Sequence, residues 1–171
     1  MEKDTSETIT IKDARFGKGI FAKKSLAEGT VLLKVKGKNL SFEDTMQLGN
    51  EESFCLQVDM NKYIIPHSPF HLSNHSCDPN CGVNNNFEFI TLRPVKIGEE
   101  LCWDYSTSML ERHWTMECRC GSPACRKLIN DFDLIPESVQ EKYLTLEIVL
   151  PYIVNYLYEI STFNRRSASA R

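Results

Sequence analysis

The sequence predicts a mainly β domain with a C-terminal helical extension, an α+β chain. Short apolar runs are separated by Gly, Pro, Asn and Asp, the pattern of brief strands and tight turns. Two similar corners, Ser25-Leu26-Ala27-Glu28-Gly29-Thr30-Val31-Leu32 and Pro94-Val95-Lys96-Ile97-Gly98-Glu99-Glu100-Leu101, each read as a strand exit, a glycine turn and a new strand, and so suggest two small sheets. Beyond Pro136 the spacing turns helical. At 171 residues and 42% hydrophobic, the chain can form one compact domain with a real core and one appended element.

Taken in order, Ile9 to Lys12 alternates as a strand, and Gly17 to Ala22 passes from a flexible turn into another. Thr30–Val35, Val58–Ile65 and Phe87–Leu92 read as further strands, and Glu100 to Tyr105 ends the series with alternating aromatic and polar positions. Pro136 suits the first turn of a helix that carries Val139, Tyr143 and Leu146 on one face; Pro151 starts a second, with Ile153, Val154 and Leu157 inward. Asn164 to Arg171 is polar and small and reads as a frayed tail.

Twenty basic and 23 acidic residues give a net charge of −3 and a pI near 5.8. No global field attracts nucleic acid or an anionic membrane, although a local acidic face would favour a basic partner. No apolar run approaches the ~20 residues that span a bilayer, and Met1-Glu2-Lys3-Asp4-Thr5 lacks the layout of a secretory signal. The expectation is a soluble, intracellular protein that binds neither membrane nor nucleic acid directly.

Seven cysteines without a secretory signal favour reduced thiols on a metal over a disulfide framework. Cys118, Cys120 and Cys125 form a C-x-C-x4-C run, and Cys77 lies upstream in Asn74-His75-Ser76-Cys77-Asp78-Pro79-Asn80. A tetrahedral zinc takes four soft ligands; the run supplies three and Cys77 is the candidate fourth. Gly121 and Pro123 suit an irregular loop, since thiols two apart must reach one ion from different directions. A reduced or disulfide-paired cluster is the plainer alternative. His113 competes as a ligand only in principle, because Glu111-Arg112-His113 reads as a solvated run. Cys55 and Cys102 sit in apolar stretches as core thiols.

Other segments carry polar groups where a core strand would not. In Arg15-Phe16-Gly17-Lys18-Gly19 two glycines flank a lysine, so backbone groups can approach a ligand closely, or simply make a hairpin turn. Asn74 and His75 present polar groups to a cofactor, or stabilise a turn beside Pro79. Trp103 and Tyr105 fall on one side of a strand end, as a core pair or as rings facing a cation with a hydroxyl that orients a reacting nitrogen.

Taken in this order, these stretches resemble the SET-domain protein lysine methyltransferases over most of Ile9 to Leu128. Arg15–Gly19 is similar to the family's first cofactor loop, Asn74–Asn80 to its N-H-S-C-x-P-N segment, Gly98–Tyr105 to its G-E-E-L-x-x-D-Y strand, and Cys118–Cys125 to its post-SET zinc run. The resemblance implies a SET-domain fold of small curved sheets in which the Asn74 and Tyr105 segments thread past one another in a pseudoknot. It implies S-adenosylmethionine in one cleft, held by Gly17, Lys18, Gly19, Asn74 and His75, with Tyr105 beside the transferred methyl and Leu128 near the adenine. Cys77, Cys118, Cys120 and Cys125 would hold structural zinc. A lysine-bearing protein or peptide, with histone tails the family's familiar targets, would enter from the opposite face past Phe54 and Trp103.

The implied boundaries are an N-terminal tail at 1–8, the SET domain at 9–110, a post-SET zinc segment at 111–130, the helical extension at 131–162 and a disordered tail at 163–171. The two helices would roof the peptide groove or make a dimer. Trp103 stands where the family commonly has phenylalanine or tyrosine, and Phe54 where many members carry a second channel tyrosine. The rival readings are a catalytically silent SET-fold module that binds peptide and uses zinc for shape, and a zinc-stapled interaction domain unrelated to methylation.

Overall fold

The computed structural model describes residues 7–169. Most of the expected N-terminal tail, and the last two residues, lie outside that range. Strands β1 (Ile9–Asp13) and β2 (Lys18–Ala22) form an antiparallel ribbon closed by the Arg15–Gly19 turn, where Ala14 N–H donates to Gly17 O at 2.9 Å. Gly17 sits there at a φ of 71°, which glycine adopts without steric cost.

After β3 (Val31–Lys34) come β4 (Gly37–Ser41) and the one-turn α1 (Phe42–Thr45), then β5 (Leu56–Asp59), β6 (Lys62–Pro66), β7 (Cys81–Val83) and β8 (Glu88–Thr91). They make two three-stranded antiparallel sheets, ordered β3-β8-β7 and β4-β6-β5. The two echoed corners pair with each other, Leu26 and Val95 exchanging backbone bonds of 2.9 Å in both directions. A short ribbon of β9 (Met116–Glu117) and β10 (Leu128–Ile129) frames the cysteine run. The chain ends in α2 (Glu137–Thr145) and α3 (Pro151–Ser169).

Several expectations are corrected. Val58–Ile65 is the turn of a β5–β6 hairpin, because Asn61 takes a left-handed φ of 56°, a conformation asparagine tolerates. Glu100–Tyr105 forms no ladder strand, only isolated bridges to Phe21 and His75; its peptide groups are divided between scattered backbone partners and the side chains of His75 and Asn80. On α3 the inward residues are Tyr152, Ile153, Tyr156 and Leu157, and Val154, 38% exposed, falls off that face at 3.6 residues per turn. Helical backbone continues to Ser169 through part of the stretch read as a tail, where Arg165, Arg166 and Ala168 are good helix formers. Sequence periodicity did not reveal the short elements β4, α1, β7, β9 and β10.

Ile20, Leu32, Phe89, Leu101, Phe132, Tyr143 and Ile153 are essentially inaccessible and join both sheets to the C-terminal helices in one core. Truncating Phe89 or Phe132 to alanine would cost about 3–5 kcal/mol. Gly82 is required where the C-terminal segment meets β7: an added Cβ would lie 2.7 Å from Ile148 Cγ2. Among the described residues, no helix is long and apolar enough to cross a membrane.

Candidate active site

Two polar segments run side by side in the centre of the molecule. Trp103 N–H donates to Asn74 O (3.1 Å), Ser76 N–H to Trp103 O (3.0 Å) and Cys81 N–H to Cys102 O (3.0 Å), with His75 and Trp103 as a parallel bridge. Side chains complete the pairing. Asn80 Oδ1 accepts from Cys102 N–H (2.9 Å) and its Nδ2 donates to Glu100 O (2.7 Å). Asn74 Nδ2 donates to Lys18 O (3.1 Å) and Glu100 Oε1 (2.7 Å), joining the glycine turn to this crossing. Asparagine suits both positions, at Asn80 because its amide donates and accepts at once and at Asn74 because its NH2 carries two donors.

Against the crossing opens a cavity of about 440 Å³ whose wall includes Gly17, Lys18, Phe54, Asn74, Trp103 and Tyr105. Six of the predicted site residues therefore meet at one cavity. Gly19, His75 and Leu128 do not line it, and Leu128 lies on β10, 45% exposed. Tyr105 OH donates to Ser73 O at 2.8 Å, and its ring packs 5.0 Å from Trp103 and 5.2 Å from His75. Burial, then the nearby Cys102 and Glu100, push the phenol's pKa well up, so it remains a neutral hydroxyl. Trp103 is only 5% exposed and its Nε1–H is occupied by Ser73 Oγ at 2.9 Å. Phe54, 46% exposed, closes the 3₁₀ turn Gly49–Phe54 and packs edge-on to His71.

His75 lies behind this wall. Its Nδ1 accepts from Tyr105 N–H at 3.3 Å and its Nε2 lies 3.2 Å from Cys77 Sγ. Burial pushes its pKa down to about 4, against the pull of the Asp104 carboxylate and with that of Arg126. The ring is then neutral, and its bonds assign the proton to Nε2, aimed at sulfur.

The thiols of Cys77, Cys118, Cys120 and Cys125 lie within 4.8 Å of one another, and Cys77 Sγ is 3.6 Å from Cys118 Sγ. A zinc–sulfur bond of ~2.3 Å sets tetrahedral sulfurs about 3.8 Å apart, so the donor set fits that ion. Burial pushes the Cys77 thiol up to about 11, partly offset by Arg126, and raises Cys118. At Cys120 the burial effect is outweighed by the Cys77 and Ser122 backbones and neighbouring thiols, which bring it down to about 7. The run itself is irregular, as expected. His113 stands apart from the thiols, with Nε2 3.0 Å from Glu52 Oε1. Cys55 and Cys102 are half-buried, whereas Cys81, outside the cluster, is fully buried; Cys55 leads out of the 3₁₀ turn into the cavity wall instead of the core.

Sequence reasoning missed several residues of the site. Glu111 lines the cavity and accepts from Tyr63 OH at 2.5 Å, and burial raises its pKa. Asp104 is fully buried, with Arg126 Nη2 donating to its Oδ1 at 2.8 Å and Tyr143 OH to its Oδ2 at 2.9 Å. The available signals were the positions of Asp104 beside Tyr105 and of Arg126 beside Cys125.

Residues 17–106 match the family model described as "SET domain", and the chain belongs to that family. The histone-lysine N-methyltransferase ash1 of Drosophila melanogaster is 30% identical over 129 residues, covering 66% of this chain and 6% of that protein. Su(var)3-9, also a histone-lysine N-methyltransferase of Drosophila melanogaster, is 29% identical over 146 residues, covering 66% of this chain and 23% of its own length. Human histone-lysine N-methyltransferase 2B is 24% identical over 152 residues, 76% of this chain and 5% of that protein. The chain thus spans less than a quarter of the length of each of these relatives.

Proposed function

We propose that the chain is an S-adenosylmethionine-dependent protein-lysine N-methyltransferase with a structural zinc. The observation that carries this is the single cavity on which the glycine turn, Asn74 and the Tyr105 hydroxyl converge. The residues fit the cofactor's demand for close backbone approach. Gly17 lines the cavity at a φ of 71° with nothing from other segments within 4 Å of where a Cβ would stand, so its backbone is open to a ligand, while at Gly19 an added Cβ would lie 2.5 Å from Glu100 Oε1 and press on the carboxylate that holds Asn74. Gly17, Lys18, Gly19 and Asn74 would hold the cofactor, with His75 bracing Tyr105 from behind and Leu128 the expected adenine-side residue.

Bound S-adenosylmethionine would supply a sulfonium methyl for in-line attack by a neutral lysine amine, the carbon–sulfur bond breaking as the nitrogen–carbon bond forms and the neutral thioether leaving. The aromatic wall of Phe54, Trp103 and Tyr105 disfavours the ammonium form of an entering lysine by desolvation. Tyr105 donates its proton to Ser73 O and keeps its oxygen lone pairs for an amine N–H, orienting the nitrogen. With a raised pKa it positions and does not act as a base. Phe54 contributes no hydroxyl, so of these three rings Tyr105 alone offers a phenol oxygen to the amine. Cys77, Cys118, Cys120 and Cys125 would fill all four zinc positions, leaving none open to substrate.

The substrate is a lysine in a protein or peptide, and the names of the relatives make histone tails the first to test. The experiment is transfer of a labelled methyl to histone peptides, with Tyr105→Phe alongside. Activity should fall by at least about a hundredfold in the variant, with cofactor affinity within about threefold, because the hydroxyl acts mainly in the transition state. Full activity in Tyr105→Phe refutes its role. Cofactor binding without transfer by the native chain would identify a silent peptide-binding module instead, and no cofactor binding an unrelated zinc-stapled domain.

A further inference from the structure

The residues that carry the candidate catalytic phenol do not hold themselves in place. Tyr105–Ser108 is a four-residue 3₁₀ helix, a geometry with poor internal hydrogen bonds and terminal carbonyls that need partners from outside. Ser106, Thr107 and Ser108 are buried, so water does not serve, and each missing partner would cost a buried unsatisfied group.

Those partners come from the C-terminal segment. Leu150 N–H donates to Thr107 O at 3.1 Å, and Tyr152 OH to Ser108 O at 2.8 Å. Phe132 N–H donates to Met109 O at 2.9 Å. Tyr143 OH donates to Asp104 Oδ2 at 2.9 Å while Asp104 Oδ1 caps the turn through Ser106 N–H at 3.1 Å. Asp131 accepts from the backbone N–H groups of Glu111 (3.2 Å) and Arg112 (2.8 Å). A segment that merely covered apolar surface would not set a polar group against successive residues of one turn. Ser108, Met109 and Glu111 also form cavity wall, so the same bonds shape the cavity.

We infer that the C-terminal extension is a working part of the active site: Tyr143 of α2 and Tyr152 of α3 are positioning residues that lock the Asp104–Ser108 turn and so aim the Tyr105 hydroxyl. This rests on the role of Tyr105 given under the proposed function. The extension is accordingly neither only a roof for the groove nor a separable unit.

The test compares the full chain with Tyr143→Phe and Tyr152→Phe, each of which removes a hydroxyl and keeps the ring. Hydrogen exchange of the amides at 105–110 is read by mass spectrometry, and kcat and KM are measured separately on a lysine peptide. Either variant should exchange these amides about tenfold faster and lose about tenfold in kcat, with KM for peptide and cofactor within about twofold. Core amides in β8 should keep their protection, which separates a loosened turn from a misfolded protein. Unchanged exchange and unchanged kcat in both variants overturn the inference, as does a change in KM alone. If the native chain transfers no methyl group, the methyltransferase reading fails by itself, and the exchange measurement still decides whether the extension holds the turn.

Discussion

The crossing of Asn74–Cys77 with Cys102–Tyr105 and the neighbouring Cys118–Cys125 run are held by opposite means. In the crossing, backbone bonds from Trp103, Ser76 and Cys81 are reinforced by the amides of Asn74 and Asn80, all within the folded core. The cysteine run has little of this: Cys118 N–H reaches Lys127 O at 2.8 Å and Cys125 N–H reaches Ser122 O at 3.0 Å, and the flanking strands are two residues long. Apart from Cys77, the crossing is held by bonds among its own peptide and amide groups, whereas the run has few such bonds beside its clustered thiols.

Metal removal should therefore separate the two most sharply. Stripping zinc from the loaded protein with a chelator should raise hydrogen exchange across residues 116–130 by at least about tenfold and weaken cofactor binding. The amides of Ser76 and Trp103 should remain protected. Equal loosening of both regions, or unaltered cofactor affinity after verified metal loss, would erase the distinction.

A smaller effect is expected from Gly19→Ala, which attacks the crossing without touching the thiols. The new methyl would lie 2.5 Å from Glu100 Oε1, so the carboxylate must shift and weaken its 2.7 Å bond to Asn74. Cofactor affinity by calorimetry should fall about tenfold and stability by about 1 kcal/mol, the cost of one hydrogen bond, while zinc content stays constant. A fall in zinc content would show that the two regions are not independent.

The smallest effect concerns Glu111, which belongs to neither region. Burial raises its pKa, so its contribution to stability is full below the unfolded carboxylate pKa and is lost as pH rises through the folded value. Glu111→Gln keeps an acceptor for Tyr63 and removes the titration. Above the ordinary carboxylate range the variant should melt about one or two degrees higher than the native chain, and the difference should vanish in acid. A gain that persists in acid would assign the effect to packing instead of charge.

Legibility differed with the range of the interaction. Turns written in local chemistry, such as Gly17 in the β1–β2 hairpin and Pro136 and Pro151 at the helix starts, were readable because each depends on a few adjacent residues. The Val58–Ile65 stretch was misread because a left-handed Asn61 leaves no mark in periodicity. Glu100–Tyr105 looked like a strand because alternation reports facing and says nothing of which partner takes the backbone bonds.

The types and spacing of Cys118, Cys120 and Cys125, the paired glycines around Lys18 and the Asn74–Asn80 segment were determined by the sequence itself, since metal affinity and backbone freedom are properties of residue type. Only the tertiary structure decided that Cys77 joins the other thiols, that Phe54 and Tyr105 share one cavity, and that Tyr143 bonds Asp104 across 39 positions. Contacts between residues so far apart along the chain exist only once the core has closed the loops between them.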